Sequence, residues 1–154
     1  RRHDPEVTIR FRTQLLPDIY LKQHLGYLQR LYAVPGVEIL PAQISAVEIE
    51  SMYDNADLVL LPYARDVYEF RGSAVLIEAT CTGRHALALD GAAFVDQMRY
   101  FGSGTACLNP TEMAEQVLNF SRQSAQLRFA KARQARDRFM RDLTDSYRHW
   151  TSTP

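Results

Sequence analysis

The sequence predicts an α/β fold, in which a parallel sheet is covered by helices on both faces. Apolar runs alternate with segments of helical periodicity along the 154 residues, an order that favours parallel strands joined by right-handed helical crossovers. Two of these runs, 57–62 and 85–90, are apolar at every position between their ends. Such continuous runs are typical of strands buried on both faces. We therefore expect a single Rossmann-like domain over residues 1–154.

The amino-terminal part is predicted to contain two strands and two helices. Residues 7–12 alternate apolar and basic side chains, which is the pattern of a strand with one covered face. A helix follows over 17–32, where leucines recur along one face. Residues 37–40 form a short strand that ends at a proline, and a Ser-x-x-Glu capping box then opens a helix over 45–55.

The centre of the chain contains the longest predicted loop, 62–72, between the strand 57–62 and a short helix over 73–83. Ligands of parallel sheets bind at the carboxyl ends of the strands, where this loop would lie. The helix has one carboxylate, Glu78, in an otherwise apolar segment, and a charge in such a segment needs a partner. We therefore place the candidate site at this loop and helix.

The carboxyl-terminal part continues the alternation and ends in helices. A helix is expected over 92–100 and a strand over 104–108. A helix then begins at Asn109, a good cap, with Pro110 in the first helical position. The remainder is predicted to be helical, with an apolar seam at steps of three or four residues formed by Ala132, Ala135, Phe139, Leu143, Tyr147 and Trp150.

The start of the central helix has the features of an anion site. Gly72 allows a ligand to approach the backbone, Ser73 is a good N-cap, and the free amides of a first helical turn attract negative charge. Arg71 or Arg65 could add a charge-assisted contact to a phosphate. The alternative is that the Gly-Ser pair serves only as a turn and a cap.

Glu78 has three candidate partners. It could accept hydrogen bonds from the two hydroxyls of a ribose, as the acidic residue of dinucleotide sites does. It could instead be a solvated surface glutamate, or it could pair with Arg84. The apolar residues on both sides of Glu78 make the solvated alternative less favourable.

Taken together, the central segments resemble a known family. A strand ending in proline, the loop with Gly72-Ser73, the helix with Glu78-Ala79, Gly83 and a second apolar strand follow in order. This order resembles the carboxyl-terminal, nucleotide-sugar-binding domain of GT-B glycosyltransferases, most of all the retaining group called glycosyltransferase family 4. The resemblance covers nearly the whole chain. It implies one half of a GT-B fold that transfers a sugar from a nucleotide-sugar donor to an unidentified acceptor.

The resemblance also implies roles for individual residues. In that family the second of two glutamates binds the ribose, and Glu78 matches it. The first contacts the transferred sugar, and Phe70 stands in its place. Either Glu69 takes over by a shift of one residue, or the donor is an unusual one, or a neighbouring side chain contacts the sugar: Tyr68, Asp66 or Arg71. The expected donor-binding set is Glu78, Gly72, Ser73, Arg71, Glu69 and Tyr68, with the catalytic residues unassigned and no metal or other cofactor.

Two parts of the family's fold have no counterpart in this sequence. Its first strand lies at the centre of the sheet, so strands 7–12 and 57–62 would pair directly or leave a gap for another chain. The amino-terminal domain with the acceptor site is the second part. We therefore expect a fragment of a longer two-domain enzyme that is inactive alone. A nucleotide-sugar epimerase of the same architecture and a non-catalytic α/β binding module are the alternatives.

Composition and charge argue against several other functions. The net charge is zero, which gives no field for binding nucleic acid. The histidines lack metal-ligand spacing, and no apolar run is long enough to span a membrane. Cys81 and Cys107 are expected to be reduced thiols in a cytoplasmic protein. Basic residues over 122–148 could contact acidic lipid at a membrane surface. Aspartates four positions after several of the arginines favour a solvated face instead. The sequence does not indicate an oligomeric state.

Overall fold

The computed structural model describes residues 9–14, 26, 29–41 and 43–152 of the chain. The chain divides into two compact units, Arg1–Met52 and Tyr53–Pro154. The described strands are parallel and form two small sheets, flanked by helices. The predicted α/β class and the parallel strand direction are thus confirmed, and the architecture is consistent with a Rossmann-like fold.

The first unit contains a two-stranded parallel sheet. Strand β1 (Phe11–Gln14) pairs with β2 (Val37–Leu40). Arg12 lies opposite Glu38 and donates from Nε to its carboxylate at 2.7 Å. The strand β1 begins later than the predicted 7–12, of which residues 7 and 8 lie outside the described part. Most of the helix predicted over 17–32 also lies outside it, but its end, 29–32, is helical.

The capping box that the sequence predicted opens helix α1 (Ala46–Asp54). The Ser45 amide donates to the Glu48 carboxylate at 2.6 Å, and the Glu48 amide donates to the Ser45 hydroxyl at 3.3 Å. Each side chain therefore satisfies one of the amides that a helix start leaves without an intrahelical partner.

The second unit is built on a three-stranded parallel sheet of order β3 (Leu58–Leu61), β4 (His85–Leu89), β5 (Gly104–Cys107). Its helices are α2 (Arg65–Tyr68), α3 (Ala74–Cys81), α4 (Phe94–Phe101), α5 (Pro110–Ser121) and α6 (Ala125–Ser152). The short helix α2 lies inside the predicted loop over 62–72. Strand β1 belongs to the sheet of the first unit and β3 to the sheet of the second.

The apolar run of β4 is explained by burial on both faces of the sheet. Ala86 and Ala88 belong to one apolar cluster, together with Leu61 and Leu76. Leu87, whose side chain alternates to the opposite face, belongs to a second cluster with Cys107 and Met113. The central strand of this sheet is therefore packed on both faces.

The seam of α6 is buried at its start and exposed toward its end. Ala132 and Ala135 are 1% and 2% exposed, whereas Leu143, Tyr147 and Trp150 are 46%, 73% and 81% exposed. Two aspartates of α6 pair with residues other than the arginines four positions before them. Asp142 accepts a hydrogen bond from Tyr100 at 3.0 Å, and Asp145 pairs with Arg148 at 3.7 Å. No helix in the described ranges has the length and apolarity to cross a membrane.

Candidate functional site

The amino-terminal end of α3 is capped and open to solvent. Ser73 is 4% exposed, and its hydroxyl accepts a hydrogen bond from the Leu76 amide at 3.1 Å. The amides of Ala74 and Val75, in the first turn, have no partner within the helix itself. Among the described residues other than Gly72 and its two chain neighbours, no atom lies within 4 Å of the position that a Cβ would take on Gly72. An anion could therefore reach these amides at the end of the loop that leaves the carboxyl end of β3.

Glu78 lies one turn further along the solvent face of α3. It is exposed, as is Ala74 four residues before it, whereas Leu76 and Ala79 are buried. Four residues correspond to about 6 Å along a helix axis. The carboxylate and the open first turn are thus neighbours on one surface.

The protein partner of Glu78 is Tyr53, at the end of α1. The Tyr53 hydroxyl donates to Oε2 of Glu78 at 2.7 Å. Arg84, which the sequence offered as a partner, instead donates to the backbone carbonyl of Asp54 at 3.0 Å and lies 3.9 Å from its carboxylate. The carboxylate of Glu78 is therefore held by a neutral donor, which leaves its negative charge uncompensated by any cation in these contacts.

The protonation of Tyr53 makes this contact persistent. Partial burial, followed by the hydrogen bond to Glu78, raises the pKa of the Tyr53 phenol well above its usual range. The phenol thus stays protonated and can donate at any physiological pH. Tyr53 fixes one oxygen of the carboxylate, and the other is available to a ligand.

The loop before α3 rests on an aromatic cluster. The rings of Tyr63 and Tyr68 are stacked with centroids 4.3 Å apart, and both meet Phe94 edge-on at 5.8 and 5.9 Å. Burial raises the pKa of the Tyr63 phenol. Tyr68, expected at the sugar site, is half-buried with its ring in this cluster. The cluster supports the loop that carries the remaining candidates.

Those remaining candidates lie on the surface of the loop. Glu69 and Arg71 are exposed, and Phe70, in the place of the family's first glutamate, is 88% exposed. Arg65 donates to the backbone carbonyl of Leu108, which ties the loop to the residue after β5. Of the two arginines considered for a phosphate contact, only Arg65 has a side chain bonded to a backbone carbonyl within the described part of the chain.

Sequence reasoning missed Tyr53 and Tyr63. Tyr53 precedes Glu78 by 25 positions, and no local pattern places a helix-end tyrosine against a carboxylate at that separation. A signal for Tyr63 was present, since it follows directly after the apolar strand and its proline in the predicted site loop.

Among the described residues, no group of three or more His, Cys, Asp or Glu side chains could hold a metal ion. Comparisons of the chain with protein-family models, with curated proteins and with solved structures find no match. The geometry of Tyr53, Glu78 and the start of α3 is therefore the basis for a functional proposal.

Proposed function

We propose that this chain binds the nucleoside diphosphate of a nucleotide-sugar and forms the donor-binding half of a retaining glycosyltransferase of GT-B architecture. The observation that carries the proposal is the exposed Glu78 carboxylate, oriented by Tyr53 at 2.7 Å, one turn from the open, Ser73-capped start of α3. A carboxylate can accept hydrogen bonds from the two hydroxyls of a ribose, and the amides at a helix start can bind a diphosphate. The roughly 6 Å rise of four helical residues matches the close spacing of these two groups in a nucleotide.

In this proposal the protein assists transfer by stabilising the leaving diphosphate. Negative charge grows on the diphosphate as the bond to the sugar breaks. The amides of Ala74 and Val75 and the guanidinium of Arg71 would face that charge, and donors fixed before the reaction are the most effective kind. The acceptor would be held by a second domain, as the resemblance to GT-B enzymes implies.

Isothermal titration with UDP, GDP and ADP tests the ribose contact. We expect one of these nucleotides to bind, and Glu78→Gln to weaken it about tenfold, since hydrogen bonds to a charged group contribute about 1.5–3 kcal/mol. Glu115→Gln is the matched control, because Glu115 is also an exposed helical glutamate, on α5. Equal affinities for the wild type and Glu78→Gln would remove Glu78 from the site.

A nucleotide-binding module without transferase chemistry is the second candidate function. Phe70 favours it, because an exposed phenyl ring stands where the family has a sugar-contacting carboxylate. Titrations with a nucleotide-sugar and with its nucleoside diphosphate separate the two. A transferase site that uses Glu69 for the sugar gains affinity from the sugar and loses that gain in Glu69→Gln. A module binds both ligands equally and is unaffected by Glu69→Gln.

A further inference from the structure

We propose that the second unit also binds a small oxyanion, in a cavity of about 100 Å³ beneath α5 and the start of α6. Its polar lining consists of His85, Thr105, Gln116, Gln123, Arg128 and Lys131. His85 is the first residue of β4, and Thr105 is the second of β5. The cavity is therefore at the amino ends of the strands, whereas the candidate nucleotide site follows the carboxyl end of β3.

The charge of the cavity lining favours an anion. Arg128 and Lys131 contribute two cations, and no carboxylate lines the cavity in the described part of the chain. Asp57 neutralises one cation, through a contact of 3.2 Å with Nη1 of Arg128. One positive charge is left over, together with the neutral hydrogen-bonding groups of Thr105 and Gln116.

Arg128 contacts several neighbours and has a donor without a partner among the described residues. Its guanidinium lies over the rings of Phe120 and Phe129, at 5.7 and 5.9 Å from their centroids. Its Nε is buried, and no described residue accepts a hydrogen bond from it. A buried donor without a partner costs free energy, and that cost is greater for a charged group. An oxyanion in the cavity would meet the positive charge of this guanidinium, whereas the Nε itself is closed to solvent.

His85 lines the same cavity, and its pKa depends on the charges there. Its ring stacks on Phe120 with centroids 5.7 Å apart, and its Nε2 lies 3.0 Å from the Thr105 hydroxyl. Burial, and then the charge of Lys131, lowers the pKa of His85, so the ring is neutral at pH 7. An anion between these groups would oppose the effect of Lys131 and raise that pKa.

The size of the cavity suits a small group. A cavity of about 100 Å³ has room for several water molecules. That space can hold a tetrahedral oxyanion or a carboxylate group. The two anion types share the chemistry recognised here, and they differ in shape and charge.

NMR titration of the His85 ring tests the proposal, with sodium sulfate and sodium acetate as probes and sodium chloride at equal ionic strength as the reference. We expect sulfate or acetate to raise the pKa of His85 above its value in chloride, and the more effective of the two identifies the anion type. Lys131→Gln should weaken the binding about tenfold, as expected for loss of a charged donor. Arg141→Gln, an exposed change on the same helix, should leave it unchanged.

Two results would overturn the proposal. The first is a His85 titration that is the same in sulfate, acetate and chloride. The second is an equal loss of affinity in Lys131→Gln and Arg141→Gln, which would mean that the anion interacts with the general charge of α6. Glu78→Gln should leave anion binding intact, so the outcome is independent of the nucleotide site.

Discussion

The replacement Tyr53→Phe isolates the contact that orients Glu78. It removes one hydroxyl and keeps the half-buried ring. The lost bond is short, 2.7 Å, and has an ionised acceptor, a class that contributes about 1.5–3 kcal/mol when its groups are desolvated. Glu78 is exposed and can take a water in place of the phenol, so we expect a smaller loss, about 1 kcal/mol in the free energy of unfolding. For a chain of this size that corresponds to a fall of about 2–4 °C in Tm.

Urea unfolding of the wild type, Tyr53→Phe, Glu78→Gln and the double variant measures this interaction. We expect a coupling energy between Tyr53 and Glu78 of about 1 kcal/mol from the cycle. In alkali, the free energy of unfolding of the wild type should fall toward that of Tyr53→Phe. The folded protein keeps the Tyr53 proton to higher pH than the unfolded chain, so stability is present below pH 10 and is lost as the pH rises through the raised pKa. Additive single effects, with no coupling, would refute the role given to Tyr53.

Three further predictions concern the second unit. Gly104→Ala should destabilise it by about 3 kcal/mol or more in urea unfolding, because a Cβ there would overlap the backbone oxygen of Ala86 and the side chain of Met98; an unchanged unfolding midpoint would contradict this packing. Ser73→Ala should cost about 1 kcal/mol through loss of the cap, visible as a lower urea midpoint with an unchanged slope. The lowered pKa of His85 means that the unfolded chain binds its proton first, so stability should fall as the pH drops from about 6.5 through the folded pKa. His85→Gln should flatten this dependence in urea midpoints recorded from pH 7.5 to 5, and an equal slope in both proteins would exclude His85 as its source.

Features that depend on nearby residues could be predicted from the sequence. The caps of α1, α3 and α5 each join residues three positions apart: Ser45 with Glu48, Ser73 with Leu76, and Asn109 with Glu112. Their geometry follows from local backbone chemistry, whatever the rest of the chain does. The continuous apolar run of β4 likewise predicted burial on both faces, because strand side chains alternate between them.

Features that depend on distant residues could not be predicted in the same way. The sequence showed that Glu78 needs a partner, but Tyr53 reaches it only because α1 ends beside α3. Helical periodicity also predicted the apolar seam of α6, but it did not predict which part of the seam is buried. Ala132 is buried whereas Trp150 is 81% exposed, because the periodicity of a helix defines an apolar face and does not define what packs against it.

The most direct test of nucleotide binding is amide chemical-shift mapping of the ¹⁵N-labelled protein with UDP, GDP and ADP. The proposal predicts that the bound nucleotide causes its largest shifts at residues 72–75 and at Glu78, with smaller ones at Tyr53. Shifts centred instead on His85 and Lys131, at the opposite ends of the strands, or the absence of shifts with all three nucleotides, would contradict it.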